Sequence, residues 1–200
     1  MRLEAASLRE AGILGDVSAV VFVEGESDKA ALETLAERLG RDLEAEAVSI
    51  VSMGGASSLA DFMNHVLDST ARGTKLAGLC DEAEANQFRR ALESVGLGSG
   101  LSLSDMESLG FFVCVRDLED ELIRSLGTGA IEGILTGQGE LRKFRKFQNQ
   151  PHWRGEPMDR QFHRFTGIKS GRKIRYGRVL VEALDLTRIP RPLEGVLASI

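Results

Sequence analysis

The sequence predicts an α/β protein with a four-stranded, mainly parallel sheet flanked by helices and a C-terminal helical subdomain. Two patterns support this fold class. As far as about residue 126, short apolar runs alternate with longer segments of helical periodicity, which is typical of βα units. Beyond that point the strand pattern stops and only helical patterns remain. We therefore expect an α/β domain over residues 1–126 and a basic helical extension over residues 127–200 that packs on it.

Four strand and helix units make up the first part. The predicted strands cover residues 17–23, 45–53, 75–80 and 110–115, and the helices that follow them cover residues 27–39, 57–70, 82–95 and 118–126. Each connection is long enough to return the chain for parallel pairing. The Gly/Ser-rich segment at 96–104 is predicted to be a surface loop, with Ser104 capping a short helix over residues 105–109.

The C-terminal part shows helical periodicity without strand signals. The predicted helices cover residues 129–135, 140–147, 158–166 and 170–184, with a last turn after Pro192. With 42% hydrophobic and 28% charged residues, the composition excludes collagen, disorder and a disulfide scaffold. Cys80 and Cys114 stand in apolar runs without metal-ligand spacing, which predicts buried free thiols.

The N-terminal residues and the lengths of the apolar runs indicate where in the cell the protein is found. No apolar run approaches the roughly 18 residues that a membrane span needs. The first fifteen residues form an amphipathic stretch with acids, and they lack the apolar centre of a signal peptide. These observations predict a cytoplasmic protein that makes no membrane contact.

Charge is distributed unevenly along the chain. The formal net charge is -5, but residues 141–178 contain 12 Lys/Arg and two Asp/Glu, so that segment carries +10 and the rest carries -15. An acidic body with a basic C-terminal segment indicates a polyanionic partner such as nucleic acid. The candidate phosphate-binding side chains are Arg142, Lys143, Arg145, Lys146, Arg154, Lys169, Arg172 and Arg175.

Aromatic residues are interleaved with these cations and could stack on bases. Helical spacing favours a core position for most of them, namely Phe144, Phe147, Phe162, Phe165 and Tyr176. Trp153 stands in the irregular stretch QNQPHWRGEP and is the best candidate for stacking.

Acidic residues directly follow three of the predicted strands. Glu24 follows the first strand and Asp28 lies one turn into the next helix. Asp81 follows the third strand, while Asp117 and Glu119 follow the fourth. Because the carboxyl ends of parallel strands meet at one edge of a sheet, where ligands bind, we expect these carboxylates to share a cleft.

Carboxylates crowded into one cleft require a cation. Two of them about 4 Å apart repel by about 4 kcal/mol at an effective dielectric near 20. His65, His152 and His163 are expected to lie away from this edge. An all-oxygen ligand set without histidine favours Mg²⁺ or Mn²⁺ over Zn²⁺.

Ordinary structural roles are the alternative for some of these acids. Glu26 and Asp28 could complement the dipole of a helix capped by Ser27, and Glu82 and Glu84 could be solvated acids in a first turn. That explanation does not extend to Glu24, which lies between an apolar strand end and a glycine.

The order of these motifs resembles the TOPRIM domain, a Rossmann-like fold of topoisomerases, primases and certain nucleases. The closer resemblance is to the TOPRIM domain of the overcoming lysogenization defect (OLD) family nucleases, and it runs from about residue 17 to residue 184. The matching positions are Glu24 and Asp28 for Glu-x-x-x-Asp, Gly54 and Gly55 for the glycine loop, Asp81 for the acid after strand three, Asp117 and Glu119 for Asp-x-Glu, and Lys173 for a lysine on a C-terminal helix.

The resemblance implies a nuclease that hydrolyses DNA phosphodiester bonds with two divalent cations, Mg²⁺ or Mn²⁺. It implies that Glu24 acts as a shared ligand or acid/base and that Lys173 neutralises charge on the scissile phosphate. The further metal ligands implied are Asp28, Asp81, Asp117 and Glu119.

Departures from the family pattern keep other functions open. Ala83 stands where TOPRIM domains usually carry a second acid, unless Glu82 or Glu84 replaces it. OLD nucleases carry an ATPase domain, but this sequence has no G-x-x-x-x-G-K-[ST] motif, so any ATP dependence would need a separate ATPase protein. One alternative is therefore a catalytically weakened module that binds nucleic acid or regulates such an ATPase. Another is a strand-joining enzyme with Tyr176, the only tyrosine, as nucleophile.

Overall fold

Strand β1 (Ala19–Val23) lies at the centre of the molecule and is buried on both faces. Its sequence AVVFV is apolar throughout, as a central parallel strand requires. In the computed structural model, which describes residues 17–55, 58–69, 73–169 and 171–200, alternate side chains of β1 enter two separate cores. The predicted α/β fold is confirmed.

The sheet has four strands in the order β2-β1-β3-β4. Strand β2 covers Val48–Ser52, β3 covers Lys75–Asp81 and β4 covers Phe111–Cys114. All three pairings are parallel, with Ala19 opposite both Val48 and Lys75, and Gly78 opposite Phe111. This order brings the carboxyl ends of β1, β3 and β4 side by side at one edge.

Helices account for most of the remaining described chain. They are α1 (Glu26–Arg38), α2 (Leu59–Ser69), α3 (Ala85–Ser94), α4 (Leu103–Ser108), α5 (Leu118–Leu126), α6 (Thr128–Gly137), α7 (Leu141–Gln148), α8 (Met158–Gly167), α9 (Arg172–Ala183) and α10 (Arg191–Ala198). Each corresponds to a predicted helical segment. The predicted helix positions Ser57, Thr70 and Ser170, and the amphipathic stretch over the first fifteen residues, lie outside the described residues.

Several element boundaries differ from the prediction, and three of these differences have local reasons. Strand β2 begins at Val48, because Ala47 adopts a left-handed φ of 55° at the end of a turn. The segment after β3 starts as a 3-10 turn over Glu82–Glu84 before α3 begins. Ser102, and not Ser104, caps α4, since its hydroxyl accepts the Asp105 N–H at 3.2 Å and its own N–H donates to Asp105 at 2.8 Å.

Apolar side chains fill a core on each face of the sheet. One core contains Phe22 and Phe111 and is covered by α2, α3 and α4. The other joins Val21 to side chains from the helices after residue 126, among them Phe144 and Leu197. Among the C-terminal helices, α10 packs on β3 and β4, whereas α9 packs on α1.

Two further expectations concern the cysteines and the membrane. Cys80 and Cys114 are buried free thiols, which confirms the prediction. Within the described ranges, none of the helices combines the length and the apolar character that a membrane crossing requires.

Candidate metal centre

Glu24 leaves the end of β1 and turns towards the neighbouring strand. Its Oε1 accepts a hydrogen bond from the backbone N–H of Asp81 at 2.8 Å. The N–H of Gly55 donates to the carbonyl of Glu24 at 3.2 Å, so the glycine loop after β2 closes beside it. Burial raises the pKa of Glu24, and the carboxylates of Glu84 and Asp28 raise it further against the opposing effects of the Asp81 N–H and Lys173.

Asp28 combines a structural role with a place in the acidic cluster. It is almost fully buried in the first turn of α1, and its Oδ2 accepts the Gly25 N–H at 2.9 Å. The N-cap of α1 is therefore Gly25 and not the predicted Ser27, and Asp28 supports the first turn of the helix. Burial nevertheless raises the pKa of the Asp28 carboxyl, and Asp117 raises it too, although Lys173 lowers it.

Asp81 shows the crowding of like charges most clearly. It ends β3 between the other two acidic strand ends. Burial, together with the charges of Glu24, Asp28 and Asp117, raises the pKa of Asp81 to about 8, with Lys173 acting against them. A carboxyl that stays protonated near neutral pH is expected where several acids meet without enough positive charge.

Asp117 and Glu119 begin helix α5. Asp117 caps the helix, its Oδ1 accepting the Asp120 N–H at 2.9 Å. Glu119 is only 3% exposed, and its Oε2 lies 3.3 Å from the ammonium of Lys173. Its Oε1 is buried and has no hydrogen-bond partner among the described residues. A buried carboxylate oxygen without a partner is costly, so this atom is a candidate ligand for a cation.

Lys173, in the first turn of α9, is the cation that enters this cluster. Its side chain is about half exposed and reaches Glu119. Desolvation acts to lower the pKa of Lys173, but Glu119, Asp28 and Asp81 outweigh it and raise the pKa. The structure therefore brings together all six residues predicted for the catalytic and metal site. A cleft of about 510 Å³ opens beside them, lined in part by Glu24, Asp28, Asp81, Lys169 and Lys173.

His163 also lies at this edge, which corrects the expectation that the histidines lie elsewhere. Its Nε2 is 2.7 Å from Oδ2 of Asp117, and ligand atoms of Asp117, Glu119 and His163 all lie within 4.8 Å of one another. Burial acts to raise the pKa of Asp117, but the bonds from His163 and the Asp120 N–H hold it below its usual range. Sequence reasoning missed His163 because only the packing of α8 against α5 brings it here.

Because Ala83 carries no carboxyl group, Glu82 and Glu84 are the candidates for the second acid after β3. Ala83 is exposed in the 3-10 turn. Glu82 turns towards the loop after β4, where its carboxylate accepts the Arg116 N–H at 3.3 Å. Glu84, by contrast, is close enough to raise the pKa of Glu24. Of the two candidates, Glu84 is the one that influences the cluster.

The predicted phosphate-binding residues divide into two groups. Seven are exposed, and these are Arg142, Lys143, Arg145, Lys146, Arg154, Lys169 and Arg175. Arg172 is a correction, because it is only 7% exposed and donates to the Phe165 carbonyl at 2.9 Å and to Glu140 at 3.1 Å. A guanidinium in this position supports the helical packing and offers nothing to a phosphate at the surface.

The aromatic residues of the basic segment belong mainly to the core. The four phenylalanines are buried, as predicted. Trp153 is half-buried with its ring centroid 5.1 Å from that of Phe147, so it is less available to a base than its sequence context indicates. Tyr176 is fully buried, and its hydroxyl donates to Glu140 at 3.1 Å. That contact argues against Tyr176 as a nucleophile.

Comparison with known proteins bears directly on this arrangement. Residues 17–82 match the family model described as overcoming lysogenization defect protein-like, TOPRIM domain. The resemblance to an OLD-like TOPRIM domain is confirmed. The matched region contains Glu24, Asp28 and Asp81, and it supports the nuclease type of function that the resemblance implies. Among curated proteins, no significant match to the chain was found.

Solved structures extend the likeness of fold over most of the chain. The C-terminal region of the Burkholderia pseudomallei OLD protein superposes with a TM-score of 0.67 at 18% identity, covering 92% of this chain and 96% of that one. The C-terminal region of the Xanthomonas campestris pv. campestris OLD protein gives 0.64 at 17% identity, covering 92% and 93%. The likeness of fold therefore extends to the helices that follow residue 126.

Proposed function

We propose that this protein is a divalent-metal-dependent nuclease that hydrolyses DNA phosphodiester bonds in the cytoplasm. The observation that carries the proposal is the cluster of strand-end carboxylates beside Glu119, whose buried Oε1 has no hydrogen-bond partner among the described residues. The match of residues 17–82 to the OLD-like TOPRIM domain supports it, since that range contains Glu24, Asp28 and Asp81, three acids of the cluster.

The residues present fit a divalent cation. Burial, together with neighbouring acids, raises the pKa values of Glu24, Asp28 and Asp81, and a bound cation would favour their ionised state. We propose Mg²⁺ or Mn²⁺, two ions, held by Glu24, Asp28, Asp81, Asp117 and Glu119. Such ions activate water and stabilise negative charge on the oxygens of a phosphodiester.

The chain itself contributes an acid/base group and a cation. Glu24 lies at the wall of the cleft, and its raised pKa brings it closer to the range in which a carboxyl exchanges protons near neutral pH. Lys173 lines the same cleft and stays protonated, so its ammonium can neutralise charge that develops on the scissile phosphate.

Exposed Lys and Arg side chains of residues 127–200 bind the phosphates of the nucleic acid. We propose that this segment is a basic helical extension of an α/β domain over residues 1–126. Lys169 lines the acidic cleft, so a backbone bound along the extension would reach the metal centre. If about five cations contact phosphates, the logarithm of the binding constant should fall with the logarithm of salt concentration with a slope of about -4 to -5.

The test is cleavage of supercoiled and linear DNA by purified protein with Mg²⁺, Mn²⁺ or EDTA. We expect cleavage only with metal and a loss of about 100-fold or more in Glu24→Gln and Lys173→Ala. Matched controls change the same residue types far from the cleft. Glu37→Gln alters an exposed acid near the other end of α1, and Lys75→Ala alters an exposed lysine at the opposite end of β3.

The same experiment separates the rival function. The exposed Ala83 favours a weakened module that binds nucleic acid or regulates a separate ATPase protein. Well-folded protein that binds DNA with the steep salt dependence but cleaves nothing in any metal would support that module. Cleavage that survives in Glu24→Gln would contradict the proposed active site.

A further inference from the structure

One corner of the acidic cluster differs chemically from the rest. Asp117 and Glu119 lie there together with His163, which adds an imidazole ring to the carboxylates. Elsewhere in the cluster the candidate donors are carboxylate oxygens from Glu24, Asp28 and Asp81. The two parts therefore present different ligand sets to a cation.

The geometry of this corner is close to that of a bound ion. Donor atoms that each lie about 2.1 Å from a common ion are at most about 4.2 Å apart. The three donor atoms here lie within 4.8 Å of one another, so a small side-chain rotation closes the set. Two of the three side chains are held in place. Asp117 caps α5 through its other oxygen, and Glu119 pairs with Lys173.

A second observation points to a ligand at the same place. Glu119 is 3% exposed, and its Oε1 has no hydrogen-bond partner in the described structure, although Oε2 meets Lys173. An ion held by Asp117, Glu119 and His163 would give this atom its missing partner. Nitrogen donors suit first-row transition ions, whereas Mg²⁺ prefers oxygen and keeps several waters.

We infer that Asp117, Glu119 and His163 form a site for a first-row transition ion such as Mn²⁺, with His163 as a direct nitrogen ligand that makes the site prefer Mn²⁺ to Mg²⁺. The inference rests on the proposed metal-dependent function and specifies the metal preference of one of its two sites. It replaces the all-oxygen set that the sequence predicts for this position.

A structural rival assigns His163 to positioning alone. In that case its Nε2 holds the carboxylate of Asp117 at 2.7 Å, and the metal contacts only oxygen. Two substitutions separate the roles. His163→Gln keeps a side-chain amide that can donate to Asp117 but has no imidazole, whereas His163→Ala removes both functions.

The experiment is equilibrium binding of Mn²⁺ and of Mg²⁺ to the EDTA-treated full chain without nucleic acid, with pulsed electron paramagnetic resonance of bound Mn²⁺. We expect ¹⁴N coupling to Mn²⁺ in the unmodified protein and its loss in His163→Gln. The affinity for Mn²⁺ should fall about tenfold or more in that variant, and the affinity for Mg²⁺ much less. His152→Gln, which removes an exposed imidazole, should retain the coupling and is the matched control.

Each other outcome overturns the inference in a distinct way. Bound Mn²⁺ without ¹⁴N coupling, or full Mn²⁺ affinity in His163→Gln with loss only in His163→Ala, would make His163 a positioning residue and leave the nuclease proposal intact. Failure of the folded protein to bind either ion would overturn both proposals together.

Discussion

Helix α9 provides partners for two buried glutamates, and it gives one of them far more hydrogen bonds than the other. Glu140 is 5% exposed and receives hydrogen bonds from Arg172 at 3.1 Å, Arg175 at 2.8 Å and Tyr176 at 3.1 Å. Glu119 is 3% exposed and forms an ion pair with Lys173, with one oxygen left without a hydrogen-bond partner among the described residues.

The pKa values of the two acids follow this difference. Burial acts to raise the pKa of Glu140, but Arg172, Tyr176 and Arg175 outweigh it and hold the pKa below its usual range. Burial raises the pKa of Glu119, and Lys173 does not reverse the shift. A buried acid whose hydrogen bonds are complete supports the fold, whereas one that is left incomplete leaves room for a ligand.

The largest expected effect comes from neutralising the satisfied acid. Glu140→Gln removes a charge on which two guanidinium groups and a buried hydroxyl depend, so it should lower the free energy of unfolding by about 3 to 5 kcal/mol. Urea unfolding followed by circular dichroism measures this loss. A change below about 1 kcal/mol would show that the Glu140 cluster does not hold the C-terminal helices in place.

Glu119→Gln is the matched control because it makes the same change in the other buried acid. It removes one negative charge from a group of mutually repelling carboxylates and breaks only a half-exposed ion pair. We expect the free energy of unfolding of the metal-free protein to change by less than about 1 kcal/mol. A loss as large as that of Glu140→Gln would mean that both acids are structural.

A second, smaller effect concerns the contact that fixes α9 on α1. A Cβ at Gly177 would lie 2.7 Å from the backbone carbonyl of Ser27, next to Asp28, so Gly177→Ala must push the helices apart. We expect a loss of about 1 to 3 kcal/mol in the free energy of unfolding. Metal affinity should fall as well, because the strained contact lies beside Asp28, a proposed metal ligand. Unchanged stability and metal affinity would contradict this role for the contact.

The sequence predicted the strand ends and their acids because both are local. Glu24 and Asp81 directly follow apolar runs, and parallel topology then brings such ends to one edge. Lys173 was placed by the resemblance to OLD nucleases, since nothing in the pattern of its own helix distinguishes it from neighbouring cations.

Long-range packing explains what the sequence did not reveal. His163 reaches Asp117 across 46 positions of the chain, and Arg172 is buried because Glu140, 32 positions earlier, lies against it. A charged residue in a basic helix is exposed on average. The sequence of that helix does not reveal a partner such as Glu140, which belongs to another part of the chain. The cap of α4 was missed for a local reason, since the Ser102 hydroxyl, and not that of Ser104, meets the Asp105 N–H.

The smallest expected effect is a dependence of stability on pH that the incomplete cluster should impose. Asp81 ionises near pH 3.8 in the unfolded chain, but its pKa is about 8 in the folded protein. Between these values the folded state binds the extra proton, so raising the pH should weaken folding. We expect a loss on the order of 1 kcal/mol between pH 5 and pH 8 in EDTA, after allowance for solvent screening of a partly exposed carboxyl.

Urea unfolding at both pH values measures this loss, and Asp81→Asn should reduce it because the amide does not ionise. Saturating Mn²⁺ should reverse the sign in the unmodified protein, since a bound cation favours the ionised carboxylates and competes with protons. The satisfied Glu140 cluster has the opposite dependence, because its lowered pKa stabilises the fold above pH 4.5 and that contribution is lost on acidification. An Asp81→Asn variant with the same loss between pH 5 and pH 8 as the unmodified chain would show that Asp81 is not its source.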